Sequence, residues 1–352
     1  MIDWTKSMQQ TFEFYMVDPI TWKDLEVIND IETCTINRDL SNATLGSATI
    51  DCTNAKDECY IRIYLIAIQN GVKYKIPLGT YMVQTPHVNF DGIKPKISLD
   101  AYTPLIELKE KQPPVGYTVL RNEQIMDRVY TLCEENMRAP VVAADDNDKL
   151  TKHFVSNTDD TWLSFLTDLA SNAEYNFVLD EIGQVLFEPV QDIASLQPVW
   201  TYNDSNSSIL YPSIKDERDL YNIPNVVEVI YSSTTMQLRS RVVNNDENSP
   251  ISTVNRGREI IHRVVNPNLS FLPTQDYLDN YAKQLLRDMS CLEHTITYSH
   301  GYCPVRIGDC VRIDYKRAGL DNIKAKVISQ SIKCTTGCPV EETALYTTQL
   351  WR

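Results

Sequence analysis

The sequence predicts a β-rich α+β protein in which two antiparallel β units flank a small α+β insert. Three observations carry this. Residues 60–86, YIRIYLIAIQNGVKYKIPLGTYMVQTP, read as a long hairpin. Apolar residues switch to helical spacing in two stretches between residues 106 and 198. Short β-branched runs then return from about residue 200, interrupted by one helix.

The hairpin is the firmest element. Asn70-Gly71 supplies the two positive-φ residues of a type I′ turn, whose twist matches paired strands. Pro77 has no N–H for a ladder, so the return strand should bulge there. The first strand is apolar on both faces, with Ile61, Ile63 and Leu65 on one and Tyr64, Ile66 and Ile68 on the other. Such a strand belongs in a closed or covered sheet, and another chain is one possible cover.

Around it, residues 1–105 read as strands at 11–16, 33–37, 48–52 and 87–102. Turn chemistry at Asp18-Pro19, Asn42 with Gly46, and Asp91-Gly92 separates them. This spacing indicates a barrel or sandwich. Residues 122–137 place Ile125, Val129, Leu132 and Cys133 on one helical face, with Asn122 expected as N-cap. A second helix is expected after a Thr158 cap, with Asp159 and Asp160 at its positive end and a stripe of Trp162, Phe165, Leu166 and Leu169. Two strands, 175–180 and 184–190, complete the insert. Beyond it, strands are expected at 225–232, 236–243, 259–265, 295–298, 309–315, 325–332 and 343–351. A helix over 274–292 is capped by Thr274. The loop 244–257, NNDENSPISTVNRG, is polar and turn-rich.

Composition excludes several classes. The 352 residues are 43% hydrophobic and 23% charged, ordinary for a globular protein long enough for two or three cores. No run of about 18 apolar residues occurs, so membrane insertion is not expected. The start, MIDWTKSMQQTFEF, lacks the features of a signal peptide. Nine scattered cysteines suit free thiols in a reducing compartment. Net charge is −14, unevenly spread. Residues 106–198 hold 7 Lys/Arg and 17 Asp/Glu, a balance of −10; the segments before and after carry −4 and zero. Specific nucleic-acid binding through a basic surface is not expected.

Catalytic signals are weak. His294, His300 and Cys303, followed by Cys310, Cys334 and Cys338, invite a zinc reading, but the paired knuckles of a structural site are missing. Scattered core residues are the plainer reading. The acid pairs Asp159-Asp160, Glu134-Glu135 and Asp145-Asp146 could serve glycoside hydrolysis only if two carboxylates faced each other across a sugar. Adjacent acids at a helix start or in a loop are more often dipole or solubility groups. Nucleophile elbows, HExxH motifs and phosphate-cradling glycine loops do not occur. No enzyme, metal or cofactor is expected. Nineteen Tyr and five Trp on a β frame suit a carbohydrate platform or, preferably, large subunit interfaces.

Three stretches together carry a family resemblance. They are SATIDC…ECYIRIYL with NG and IPLGTYMVQTP (47–86), DTWLSFLTDLASNAEYNFVLDEIGQVLFEPV (160–190), and DLYNIPNVVEVIYSS (219–233) with NSPIS (248–252) and CPVRIGDCVRIDYKRAGL…KAKVISQSI (303–332). In this order the chain resembles phage tail baseplate hub proteins of the late-control-protein D type, and especially the hubs of prophage-type tails. None of the three is a catalytic signature.

The resemblance implies two antiparallel β-barrel, tube-like domains, at 1–105 and 199–352, with the acidic α+β module 106–198 inserted between them. It also implies a homotrimeric, pseudo-sixfold ring joining a sixfold tail tube to a threefold central spike, beside tape measure and baseplate wedge proteins. Such a protein is made in the host cytoplasm and resides in the virion at the tail tip, where DNA passes through the ring. Some members carry a C-terminal lysozyme or peptidase domain; this chain stops at Arg352 after a strand, so that activity is expected in another protein. A tail-tip cell-wall-degrading or glycan-binding protein is the alternative. Candidate ring and wall contacts are Tyr64, Ile66, Ile68, Asn70 and Gly71 in the hairpin, with Asp309 and Arg312. Asn248, Ser249 and Pro250, in a loop expected to order only in the assembly, are candidates for docking tube or spike.

Overall fold

The computed structural model describes residues 2–90, 92, 95–144, 148–234, 236–267 and 272–351. Asp91 of the expected Asp91-Gly92 turn, the acid pair Asp145-Asp146 and the terminal Arg352 lie outside the described residues.

The chain opens with β1 (Gln9–Val17), β2 (Asp24–Ile28), β3 (Ile31–Asp39), β4 (Gly46–Cys52), β5 (Tyr60–Gln69), β6 (Val72–Phe90) and β7 (Pro95–Tyr102). The insert follows with α1 (Ile106–Glu110), β8 (Thr118–Val119), α2 (Ile125–Asn136), β9 (Phe154–Val155), α3 (Trp162–Ser171), β10 (Tyr175–Leu179) and β11 (Val185–Pro189). Next come β12 (Trp200–Asn203), β13 (Leu210–Asp219), β14 (Val226–Ser232), β15 (Gln237–Val243), α4 (Thr253–Arg256), β16 (Ile261–Val265) and α5 (Gln275–Met289). The last strands are β17 (Cys291–Gly301), β18 (Cys310–Tyr315), β19 (Leu320–Lys333) and β20 (Pro339–Gln349). The class is β-rich α+β, dominated by one large sheet with few helices.

That sheet has 13 strands, with the path β13-β17-β20-β19-β3-β4-β7-β6-β5-β1-β2 and β18 bridging β12 and β19. Strands from the first and last thirds of the sequence meet directly. β3 and β19 pair antiparallel, with Ile36 opposite Ile332. Smaller sheets are β10-β11, β8-β9 and β15-β14-β16.

Two compact units result. One comprises residues 1–214 and 297–344, the other 215–296 and 345–352. Among the described residues, the first unit includes two large cores. Ile36, Ile50, Ile61, Ile63, Leu65 and Leu99 centre one, between strands. Leu108, Val129, Phe165, Leu166 and Leu169 centre the other, beneath the helices of the insert. In the second unit, Leu278, Ala282 and Leu286 of α5 pack on Val227 and Val229 of β14. No described helix is long and apolar enough to cross a membrane.

Two caps differ from expectation. Asn122 does not cap α2: its φ is +71° and its N–H bonds Leu150 O at 2.9 Å, which places it in a left-handed turn. Gln124 occupies the cap position. Thr158 does not cap α3 either. The Asp160 carboxylate accepts from Asn157 N–H at 2.7 Å, closing a turn ahead of the helix. Thr161 then forms a capping box with Ser164. Thr274 caps α5 as expected, accepting from Tyr277 N–H.

Candidate interaction surfaces

The hairpin has the expected geometry. Asn70 and Gly71 have φ of +51° and +78°, as a type I′ turn requires. Ile63 faces Gly79 while Tyr64 faces Pro77, so Leu78 is the extra residue of a bulge beside the proline. Ile61, Ile63 and Leu65 fill the core of the strands.

The other face of β5 is covered largely by the chain itself. Tyr60 OH donates to Glu107 of α1 at 2.7 Å, and Tyr64 OH to Asp24 at 2.8 Å. Between them lies Arg62, which is buried. It donates to Thr80 Oγ1 (2.9 Å), Asp24 Oδ1 (2.9 Å), Trp22 O (3.3 Å) and Ile182 O (3.1 Å). The Ile182 carbonyl also receives Trp22 Nε1–H and the Thr80 hydroxyl, so three side chains converge on one carbonyl of the β10-β11 turn. Gly183 follows at φ +80°, where a Cβ would lie 2.8 Å from Thr80 Cβ. The insert is thereby fastened under the hairpin. Further along, Lys75 Nζ sits 3.7 Å and 3.9 Å from the ring centroids of Tyr15 and Tyr64.

The structure separates the candidate contact residues by exposure. Tyr64 and Ile66 are buried within the chain, Ile66 at 2%, whereas Ile68 is 36% exposed and the Asn70-Gly71 turn is open to solvent. Asp309 and Arg312 are half-buried. Asp309 accepts from Arg306 N–H at 2.7 Å, and burial pushes its carboxyl upward. Arg306 in turn pairs with Glu181 of the insert. Arg312 Nε is buried without a hydrogen-bond partner among the described residues.

The loop 244–257 is hydrogen-bonded within itself and to its neighbours in the chain. Asn244 Nδ2 donates to Ser249 Oγ (2.9 Å), Ser249 Oγ to Leu350 O (2.8 Å) and Asn225 Nδ2 to Ile251 O (3.1 Å). Asn244, Ser249, Ile251 and Ser252 are buried, leaving Asn248 and Pro250 exposed.

The histidines and cysteines fall into separate settings. His294 stacks on Tyr346 and contacts Asp216 (3.1 Å) and Thr348 (3.2 Å). His300 is buried with Glu342, Tyr202, Tyr298 and Gln330. Its Nδ1–H donates to Gly301 O at 2.8 Å, while Nε2 faces Tyr202 OH at 3.1 Å and Glu342 Oε2 at 3.4 Å. Gln330 donates to the same carboxylate oxygen at 2.7 Å, and Tyr298 OH to the other. Burial would lower the imidazole pKa, but hydrogen bonds to Cys303 and Glu342 and the Glu342 charge outweigh it and push it up to about 10. Cys334 N–H donates to Cys34 O across the β3-β19 pairing. Among the described residues, no group of three or more His, Cys, Asp or Glu is placed to hold a metal.

Two features escaped the sequence reading. Arg62 was hidden in an apolar run, yet a cation inside such a run signals fixed partners. Arg239 and Arg241, alternating in QLRSRVV, lie beside Glu228 of NVVEVIYS, and an acid within an apolar strand is the corresponding signal.

No protein-family model matches the sequence, and no curated protein matches it. Solved structures do match, over nearly the whole length. A tail protein from Neisseria meningitidis is 15% identical with a TM-score of 0.63, covering 96% of this chain and 97% of that one. The 43 kDa tail protein of prophage MuSo2 from Shewanella oneidensis is 11% identical, also at 0.63, covering 95% and 98%. A chain of the Francisella PdpA-VgrG complex is 10% identical at 0.55; the match covers 97% of this chain and 58% of that longer one. The chain has the fold of phage tail proteins, and the resemblance to the baseplate hub type holds at that level.

Proposed function

We propose that this chain is a structural baseplate hub of a phage tail or contractile injection particle. Three copies would form a pseudo-sixfold ring joining the sixfold tail tube to the threefold spike. The observation that carries this reading is the fold match to two tail proteins over at least 95% of either chain. On this reading the two β units supply six similar wall segments per trimer, and the module 106–198 faces baseplate neighbours. The tube, the central spike, the tape measure and wedge proteins are its partners. DNA passes through without specific binding, and the chain performs no catalysis.

Exposure divides the contact roles. Ile68, Asn70, Gly71, Asn248 and Pro250 are the residues free to touch a neighbour. Tyr64, Ile66 and Ser249 hold those surfaces in shape, and Asp309 with Arg312 lies at the margin. Co-purification with the tube and spike proteins of the same particle tests the reading. Capture of both as a stoichiometric complex is expected. Clearing of a cell-wall suspension by the purified chain would instead favour a tail-tip degrading protein.

A further inference from the structure

The sheet β15-β14-β16 has one face packed on α5 and the other open. Strand alternation puts Glu228 and Ile230, Gln237, Arg239 and Arg241, and Arg263 and Val265 on the open face. Register sets Glu228 between Arg241 and Arg263. Its carboxylate, on a residue only 4% exposed, receives Arg239 Nη2 (3.0 Å), Arg241 Nε (3.2 Å) and Arg263 Nε (2.9 Å). Arg241 Nη2 reaches Glu259 at 2.6 Å. The hydrogen bond from Arg263, with those from its neighbours, holds Glu228 below the ordinary carboxylate range.

Three guanidiniums against two carboxylates leave one positive charge in excess. The arginine side chains are 60%, 37% and 56% exposed for Arg239, Arg241 and Arg263. Each guanidinium offers five N–H donors, most of them unused here. Val265 and Ile261 are exposed beside them. The face is shaped as an open depression of about 540 Å³. Glu228 fixes the guanidiniums in place without neutralising them, the arrangement that suits bidentate capture of further carboxylates.

The chain itself offers the complement. Residues 106–198 carry −10, and helix α2 exposes Asp127, Glu134 and Glu135. Glu134 holds one contact, from Tyr130 OH at 2.6 Å. Asp127 and Glu134 are separated by seven residues of helix, a rise of about 10 Å. Two strand spacings and a two-residue offset along the strands separate Arg239 on β15 from Arg263 on β16, about 12 Å, within reach of the same pair of carboxylates through long arginine side chains. A closed ring of identical copies needs two different, complementary surfaces on each copy. We infer that the arginine face of one copy docks the acidic face of α2 on the next, with Arg239 and Arg263 taking carboxylates of Asp127 and Glu134. This rests on the ring reading above.

Charge reversal tests it on the full chain. Arg239→Glu leaves Arg241 and Arg263 on Glu228, and Arg239→Gln is the milder partner should the first fail to fold. Asp127→Arg with Glu134→Arg reverses the other side. Self-association measured by analytical ultracentrifugation should weaken about tenfold or more for either reversal, and at high salt for the unaltered protein. A chain carrying Arg239→Glu with Asp127→Arg and Glu134→Arg should regain association. An oligomer indifferent to both reversals overturns the docking while leaving the ring standing. Weakening without rescue also overturns it and points to another anion, nucleic acid included, on the arginine face. An unaltered chain that never associates overturns the ring together with the docking.

Discussion

Glu342 shows how much a single buried group organises. It is fully buried and bonded to Tyr298 and Gln330, with His300 facing it. The folded pKa of His300, about 10, lies above its ordinary 6.5. Its contribution to stability is therefore complete below pH 6.5 and is lost as pH rises toward 10. The melting temperature followed by circular dichroism should fall across that window, and His300→Gln should flatten the fall. Arg62 belongs to the same scale. Arg62→Ala removes the ion pair to Asp24, which keeps its bond from Tyr64, and removes a donor from Ile182 O, at a cost of about 3 kcal/mol in urea unfolding. Ile66→Asp should destabilise the isolated chain itself, because Ile66 is buried without a neighbour's help. An Ile66→Asp protein that melts normally yet fails to associate would show the opposite. None of these partners was legible in sequence, since the bonds span from 12 to 120 residues.

Elements were legible where local chemistry alone decides them. The Asn70-Gly71 turn, the bulge at Pro77, the Thr274 cap and the apolar stripes of α2 and α3 follow from spacing and turn type. Cap positions failed where several candidates lay within three residues. Thr158, Asp159, Asp160 and Thr161 can all accept a helix N–H, and the Asn157–Asp160 turn decides for Thr161. Thr161→Ala should cost about 1 kcal/mol, whereas Thr158→Ala should stay within about 0.5 kcal/mol, both read from urea midpoints. β13, LYPSIKDERD, shows the other kind of failure. It has hardly any apolar alternation, and its pairing with β17 alone makes it a strand. The loop 244–257 looked unstructured because its order comes from buried side-chain amides and hydroxyls, which composition reads as solvation.

At the scale of the molecule, sequence pointed to two β regions around an α+β insert but not to the single hydrogen-bonded sheet that joins them through β3 and β19. Pairing between residues as far apart as Ile36 and Ile332 leaves no local trace. The fold is shared with tail proteins at 11–15% identity. The proposed ring depends on the surfaces. Its most direct test is the mass of the purified full chain in solution by multi-angle light scattering. A particle of three times the 40.3 kDa chain is expected; a monodisperse single chain, or six copies, at every concentration would contradict the hub reading.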